Sequence, residues 1–230
     1  MAFNYSPKVV TDGLVLYLDA ANPNSYVSGS TTWRDISRGG NNGALVNGPT
    51  YSPLNGGSIV FDGVDDRCTI PNQTFNLTTD SSFTIEVVFK RNSSTPGTAK
   101  ALYSIGNGTS STNARIIFFF DDNSNGSMST NYYVSGGLDR YVLLDSQLLN
   151  TNFHHSVQVV NKSTLQMAGY FDGINKGSGT ITSSSTSATT LTVGSSTNAS
   201  VAFFRVYNRA LTAQEVLQNY NATKTRFGLT

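Results

Sequence analysis

The sequence predicts an all-β protein, two antiparallel sheets packed face to face, with one short α-helix near the C-terminus. Three observations carry this. Residues 82–91 alternate with period two: Phe83, Ile85, Val87 and Phe89 fall on one face, Ser82, Thr84, Glu86 and Lys90 on the other, and Val88 is the exception. Apolar runs of strand length recur along the chain between clusters of Gly, Asn, Asp and Ser, the residues that supply turns. Helical signals gather at the end. There a β-like run, residues 199–207 (ASVAFFRVY), passes through Asn208, Arg209, Ala210 and Leu211 to Thr212 and Glu215, which have the Thr-x-x-Glu spacing of a capping box. Val216, Leu217 and Tyr220 then give that helix an apolar stripe.

Taken in order, residues 13–19 (GLVLYLD) are a nearly unbroken apolar run, the mark of a strand between two layers. Pro23, Asn24, Ser28 and Gly29 mark a loop, and residues 39–43 (GGNNG) a tighter one. Residues 57–62 form a strand that Asp62-Gly63 stops. Further strands are expected at 100–105, 115–120, 140–144, 153–160, 165–171, 191–193 and 201–207. The Ser/Thr-rich stretch 178–190 reads as a loop with a weak edge strand, because the segment after it continues the sheet pattern. The expected organisation is an N-terminal arm over residues 1–12, one sandwich domain over 13–222, and a C-terminal tail over 223–230.

Composition narrows the partners. Of 230 residues only 13% are charged, the formal net charge is +1, and no run of like charges occurs, so nucleic acid and anionic membrane are not favoured. Cys68 is the single cysteine, which excludes an intrachain disulfide and reads as a small buried hydrophobe. No signal-peptide run follows Met1 and no segment has the length of a membrane span, so a soluble product of a reducing cytoplasm is expected. Asn-x-Ser/Thr triplets such as the one at Asn76 then reflect composition.

A resemblance sharpens this. Residues 13–20 look like the opening strand of laminin-G-like domains in the concanavalin A-like lectin/glucanase superfamily. Trp33-Arg34-Asp35-Ile36-Ser37 is similar to their Trp-x-Asp-Leu/Ile-Ser motif, and Asn41-Asn42-Gly43 and residues 57–63 (GSIVFDG) to the next two blocks. Residues 83–90 resemble the FTIEVWFK strand with Val88 in place of Trp, Phe153-His154-His155 the common Trp-His-His, and residues 169–173 (GYFDG) a Tyr-x-Asp-Gly turn. The resemblance implies a jelly-roll sandwich. The opening (MAFNYSPKVVTDGLVLYLDAANPNSY) and the finish (NYNATKTRFGL) resemble laminin-G-like structural proteins of tailed-phage virions.

Because that superfamily contains glucanases, paired carboxyls about 5 Å apart are the first chemistry to seek. The chain has two glutamates, Glu86 and Glu215; Glu86 is followed by Val87-Val88-Phe89 and Glu215 belongs to the helix cap, so the catalytic strand is missing. Asp65 and Asp66 are neighbours in an Asp-Gly-Val-Asp-Asp turn. His154 and His155, the only histidines, diverge if they lie on a strand, one inward and one to solvent, which argues against zinc. Calcium is the better metal: Asp121, Asn123 and Asn125 before Gly126 match the first half of a D-x-[DN]-x-[DN]-G loop, although Tyr132 stands where that loop needs Glu, and the same residues make plain hairpins. Tyr132, Tyr133 and Tyr141 near Asn131, Asp139 and Arg140 offer a glycan platform, or ordinary strand packing.

The expectation is therefore a non-enzymatic phage virion protein, a capsid decoration or cement subunit on the particle exterior. It has no required cofactor, with calcium the open case. The alternative is a lectin-like carbohydrate-binding module on a tail or fibre, recognising host glycans. The partners are the major capsid protein or other virion proteins, glycans, and a second copy of the chain.

Overall fold

The computed structural model describes residues 7–71, 82–95, 100–106, 114–122, 126–134, 137–182, 190–195 and 197–229. Its strands are β1 (Leu14–Asp19), β2 (Thr32–Trp33), β3 (Gly43–Val46), β4 (Thr50–Ser52), β5 (Ser58–Asp62), β6 (Arg67–Pro71), β7 (Phe83–Arg91) and β8 (Lys100–Gly106). They continue with β9 (Ala114–Asp122), β10 (Ser127–Val134), β11 (Gly137–Asp145), β12 (His154–Asn161), β13 (Gln166–Phe171), β14 (Ile174–Thr180), β15 (Thr190–Val193) and β16 (Asn198–Tyr207), and helix α1 spans Ala213–Phe227. One sheet has the order β14-β13-β12-β7-β16-β5-β4, with β1 paired to β16 beside β5; the other runs β11-β10-β9-β8-β15-β6-β3-β2. Every ladder is antiparallel. This is the two-layer sandwich the alternation predicts. Strands β2, β3, β4, β6, β10 and β14 carry no clear apolar alternation and were not legible.

Between the sheets lies a core that contains Phe83, Ile85, Val87 and Phe89, each at most 1% exposed. Burying each side chain is worth roughly 1.5–3 kcal/mol, which is why this face turns to the interior of the sandwich rather than to water. The opposite face of β7 is also buried. Val88 joins Phe153, Ala202, Phe203, Tyr220, Phe227 and Leu229 in a second apolar cluster beneath α1, so its departure from the alternation has a partner. In β16 the register against β7 slips between Val201 and Phe203. That bulge turns Ala202 and Phe203 together toward the helix and returns Phe204 and Val206 to the core.

Helix α1 begins as expected: Thr212 Oγ1 accepts from the Glu215 amide and Glu215 Oε2 accepts from the Thr212 amide. Gly228 ends it in the left-handed conformation, φ 64°. Its buried stripe is Val216, Tyr220, Thr223 and Phe227; Leu217, expected on it, is 47% exposed. Residues 223–227 thus extend the helix where a tail is expected, and Phe227 and Leu229 are buried. The N-terminal segment is tied from Lys8 onward, its carbonyl accepting from Gln218 Nε2 and the buried Val10 amide donating to Asn219 Oδ1. Cys68 is buried, and burial pushes its thiol pKa up. No helix among the described residues is long and apolar enough to cross a membrane.

Candidate functional site

Glu86 sits at the centre of the face of β7 that α1 covers. Its Oε1 accepts from His155 Nε2 at 2.8 Å and Arg205 Nη1 at 3.1 Å, and its Oε2 from Asn219 Nδ2 at 2.9 Å and Tyr207 Oη at 3.3 Å. Glu86, His155, Tyr207 and Asn219 have no exposure and Arg205 has 2%. Burial pushes the Glu86 carboxyl up, but Arg205 and the hydrogen bonds from His155 and Tyr207 outweigh it and hold the pKa below the ordinary glutamate value. The Tyr207 hydroxyl is pushed up by burial and by the Glu86 charge. The Arg205 guanidinium lies 3.9 Å from the Phe203 ring centre and 4.3 Å from that of Tyr17, and donates to Tyr17 Oη at 2.8 Å. Tyr17 donates on to Asp19, which Arg226 of α1 clamps with two bonds of 2.7 and 2.8 Å. Acid, base and cation are all present, yet the carboxylate is saturated with donors and sealed from solvent. The cluster holds the helix to the sheet. Sequence reasoning passed over it, although a charge inside each of two largely apolar strands, Glu86 in β7 and Arg205 in β16, was a signal, and the two are paired directly across from one another.

The two histidines diverge to opposite faces of β12, but neither points freely to solvent. His154 Nδ1 meets Asp172 Oδ2 at 2.7 Å, its Nε2 meets Asn150 Oδ1 at 2.9 Å, and the ring stacks 5.0 Å from Phe171. Asp172 Oδ1 also accepts the His155 amide.

The tyrosine platform does not assemble. Tyr132 faces the interlayer at 2% exposure, its hydroxyl taken by Lys162 Nζ. Tyr133 points the other way, because neighbours on a strand do, and is 7% exposed against Ala101 and Ile117. Tyr141, opposite Asn131, shares that outer face and is 57% exposed. The calcium residues Asn123 and Asn125, and the side chain of Asp121, lie outside the described residues. Their segment joins β9 to β10, which pair with Asp122 opposite Ser127. Asp62, Asp65 and Asp66 each bring a carboxylate oxygen within 4.8 Å of the others. Asp62 Oδ1 accepts the Val64 amide and Asp66 Oδ2 the Asp62 amide, so this is the turn the sequence predicts, built on side-chain acceptors.

The two lateral edges of the sandwich differ. At one, β11 closes onto β13 and β14. A Cβ on Gly169 would stand 2.8 Å from Val142 Cγ1 and 2.9 Å from Leu144 Cδ2, so only glycine admits this approach, and Arg140 Nε bonds the Thr180 carbonyl across the seam at 3.0 Å. At the other edge the chain crosses from β3 in one sheet to β4 in the other through Asn47, Gly48 and Pro49. A cleft of about 460 Å³ opens there, with Tyr26, Leu45 and Tyr51 among its walls and Ser28, Asn47 and Thr50 beside them. The sequence held no signal for it, since its parts come from separate loops and short strands.

Comparison with known proteins agrees with the sandwich. A family model described as the concanavalin A-like lectin/glucanases superfamily matches residues 62–217. No curated protein matches the chain. Among solved structures, the fold is similar to the binding domain of Paraclostridial Mosquitocidal Protein 1, at 17% identity and a TM-score of 0.71, covering 91% of this chain and 52% of that one. It is similar to the botulinum neurotoxin serotype D binding domain, at 12% identity and a TM-score of 0.73, covering 92% and 52%. A third likeness is to Trypanosoma rangeli sialidase in complex with sialic acid, at 17% identity and a TM-score of 0.70, covering 95% and 34%. The chain thus spans about half of each toxin binding domain and a third of the sialidase, and at such identities the likeness is one of fold.

Proposed function

The chain belongs to the concanavalin A-like lectin/glucanase superfamily, and on that premise we propose that it is a non-enzymatic carbohydrate-recognition module. One observation carries the reading: the strand glutamate Glu86 is sealed beneath α1, whereas among the described residues no carboxylate, imidazole or amine lines the open-edge cleft. A glycosidase needs two carboxyls at the glycosidic bond, one able to give a proton. The likeness to two toxin binding domains supports recognition over turnover. The mechanism is contact: a rigid sandwich presents its edge and loops to a glycan, and nothing is cleaved. Incubating the protein with oligosaccharides while following binding by calorimetry and products by mass spectrometry tests this. Heat of binding with intact sugars is expected; released sugar would overturn it.

A second reading, display on a phage virion as a decoration or cement subunit, is favoured by a different observation. The terminal segments that resemble phage virion proteins are neighbours in the fold, Gln218 and Asn219 of α1 bonding Lys8 and Val10. On this reading the two ends would meet the particle together. Quantitative mass spectrometry of purified particles decides: hundreds of copies place the protein on the capsid lattice, a handful on tail or neck, and none removes the reading.

A further inference from the structure

Building on the carbohydrate-recognition reading, we infer that the open-edge cleft is the sugar subsite and that it takes a neutral pyranose ring in preference to sialylated or other acidic sugars. Its size suits one or two rings, since small-ligand sites fall at roughly 300–1,000 Å³. Its walls match the two kinds of surface a pyranose presents. Tyr51, half-buried, stands with its ring centre 5.5 Å from that of Tyr26, tilted by 40°, and offers the apolar wall for the C–H face of a sugar; Tyr26 and Leu45, at 5% and 9% exposure, are core residues that back it and fix its position. Around them Ser28, Thr31 and Thr50 bring hydroxyls that make no hydrogen bond to any described residue and are therefore free to exchange bonds with sugar hydroxyls.

The cleft is held in shape before any ligand arrives. The Leu45 amide donates to the Thr31 carbonyl at 2.8 Å, Ser30 Oγ brackets Thr32, and Asn47 Nδ2 is anchored on the Asp65 carbonyl at 3.1 Å. Asn47 and Gly48, with φ of 70° and 100°, make the tight corner that carries the chain from one sheet to the other. Walls fixed in this way spare a ligand the entropy of ordering them.

Selectivity follows from charge. Among the described residues no lysine, arginine or histidine lines the cleft, so a carboxylated or sulfated sugar would lose water around its anion with no cation in return. The anchor on Asp65 also sets the cleft beside the turn that carries Asp62, Asp65 and Asp66 against the single cation of Arg67, whose Nη1 reaches the Asp65 carbonyl. That neighbourhood is net negative and repels a second anion.

The test is binding of the full-length chain to a glycan array carrying neutral oligosaccharides beside their sialylated and sulfated forms, repeated with Ser28→Arg and Tyr51→Ser. Ser28 is exposed, so Ser28→Arg blocks the cleft without entering the core, and an unchanged melting temperature confirms the fold. Expected are binding to neutral members, weaker signals from their acidic forms, and a loss of about tenfold or more with either variant. Neutral binding that survives both variants would overturn the subsite while leaving carbohydrate recognition standing. A preference for acidic forms would overturn the selectivity. No binding to any glycan would remove both the inference and the reading beneath it.

Discussion

Two regions of this molecule divide its chemistry between them. Beneath α1, Glu86, His155, Arg205 and Tyr207 form the kind of group that reads as an active site on paper, and no ligand can reach it. At the open edge a cleft faces solvent, and its walls are phenols, hydroxyls, an amide and the apolar side chains of Leu45 and Pro49. The difference teaches that access outranks composition. A carboxylate saturated by four donors and covered by a helix is a fastening, whereas the open cleft, with no carboxylate among its described lining residues, lacks the paired acids that glycoside cleavage uses.

The comparison breaks most readily at Glu86. Glu86→Ala would leave Arg205 buried without its counter-ion and His155 without its acceptor, a loss expected at about 3–5 kcal/mol. A shift of the urea midpoint with unchanged slope would measure it; a small shift would mean the cluster is not the fastening described. Acid is the reversible form of the same experiment. Glu86 and Asp19 are held below their ordinary values, Glu86 by Arg205 against the cost of burial and Asp19 by Arg226 against the same cost, and Glu215 is held at about 2 by Arg209. Because these pKa values are depressed on folding, their stabilisation is complete above the ordinary carboxylate range near 4.5 and drains away as pH falls from there toward 2. Thermal melts across that window should show the decline, and a flat profile would contradict it.

At the closed edge, Gly169→Val would drive its side chain into Val142 and Leu144 and should cost about 1–3 kcal/mol, read as a fall in melting temperature. At the open edge, Ser28→Ala touches no packed group and should stay within about 0.5 kcal/mol of the parent protein. Equal costs at the two edges would erase the distinction between a sealed seam and a ligand entrance.

Much of the architecture was legible because period-two patterning is a direct print of burial. The face Phe83-Ile85-Val87-Phe89 and the Thr212–Glu215 cap stand where the pattern puts them. What failed did so for identifiable reasons. The bulge at Ala202 slips one residue within an unbroken apolar run, and no alternation records such a slip, so Phe203 could not be assigned to the helix side. Leu217 satisfies a two-turn stripe, and only the longer spacing through Thr223 and Phe227 shows which side of the helix is packed. Tyr132 and Tyr133 are adjacent in sequence, so one platform never suited both. Tyr26 and Tyr51 meet because the chain changes sheets between them, a tertiary event without a local signature.

The placing of Glu86 has a consequence for how the protein is made. Its partners lie 69, 119, 121 and 133 residues downstream, and Val10 waits for a residue 209 positions later. A ribosome that has released β7 has therefore delivered a buried-to-be carboxylate, set in one of the most apolar strands of the chain, with none of the groups that will neutralise it. Contacts this remote close slowly and late. The domain is expected to fold only once α1 has left the exit tunnel, and until then the exposed β7 is a site for chaperone capture or aggregation.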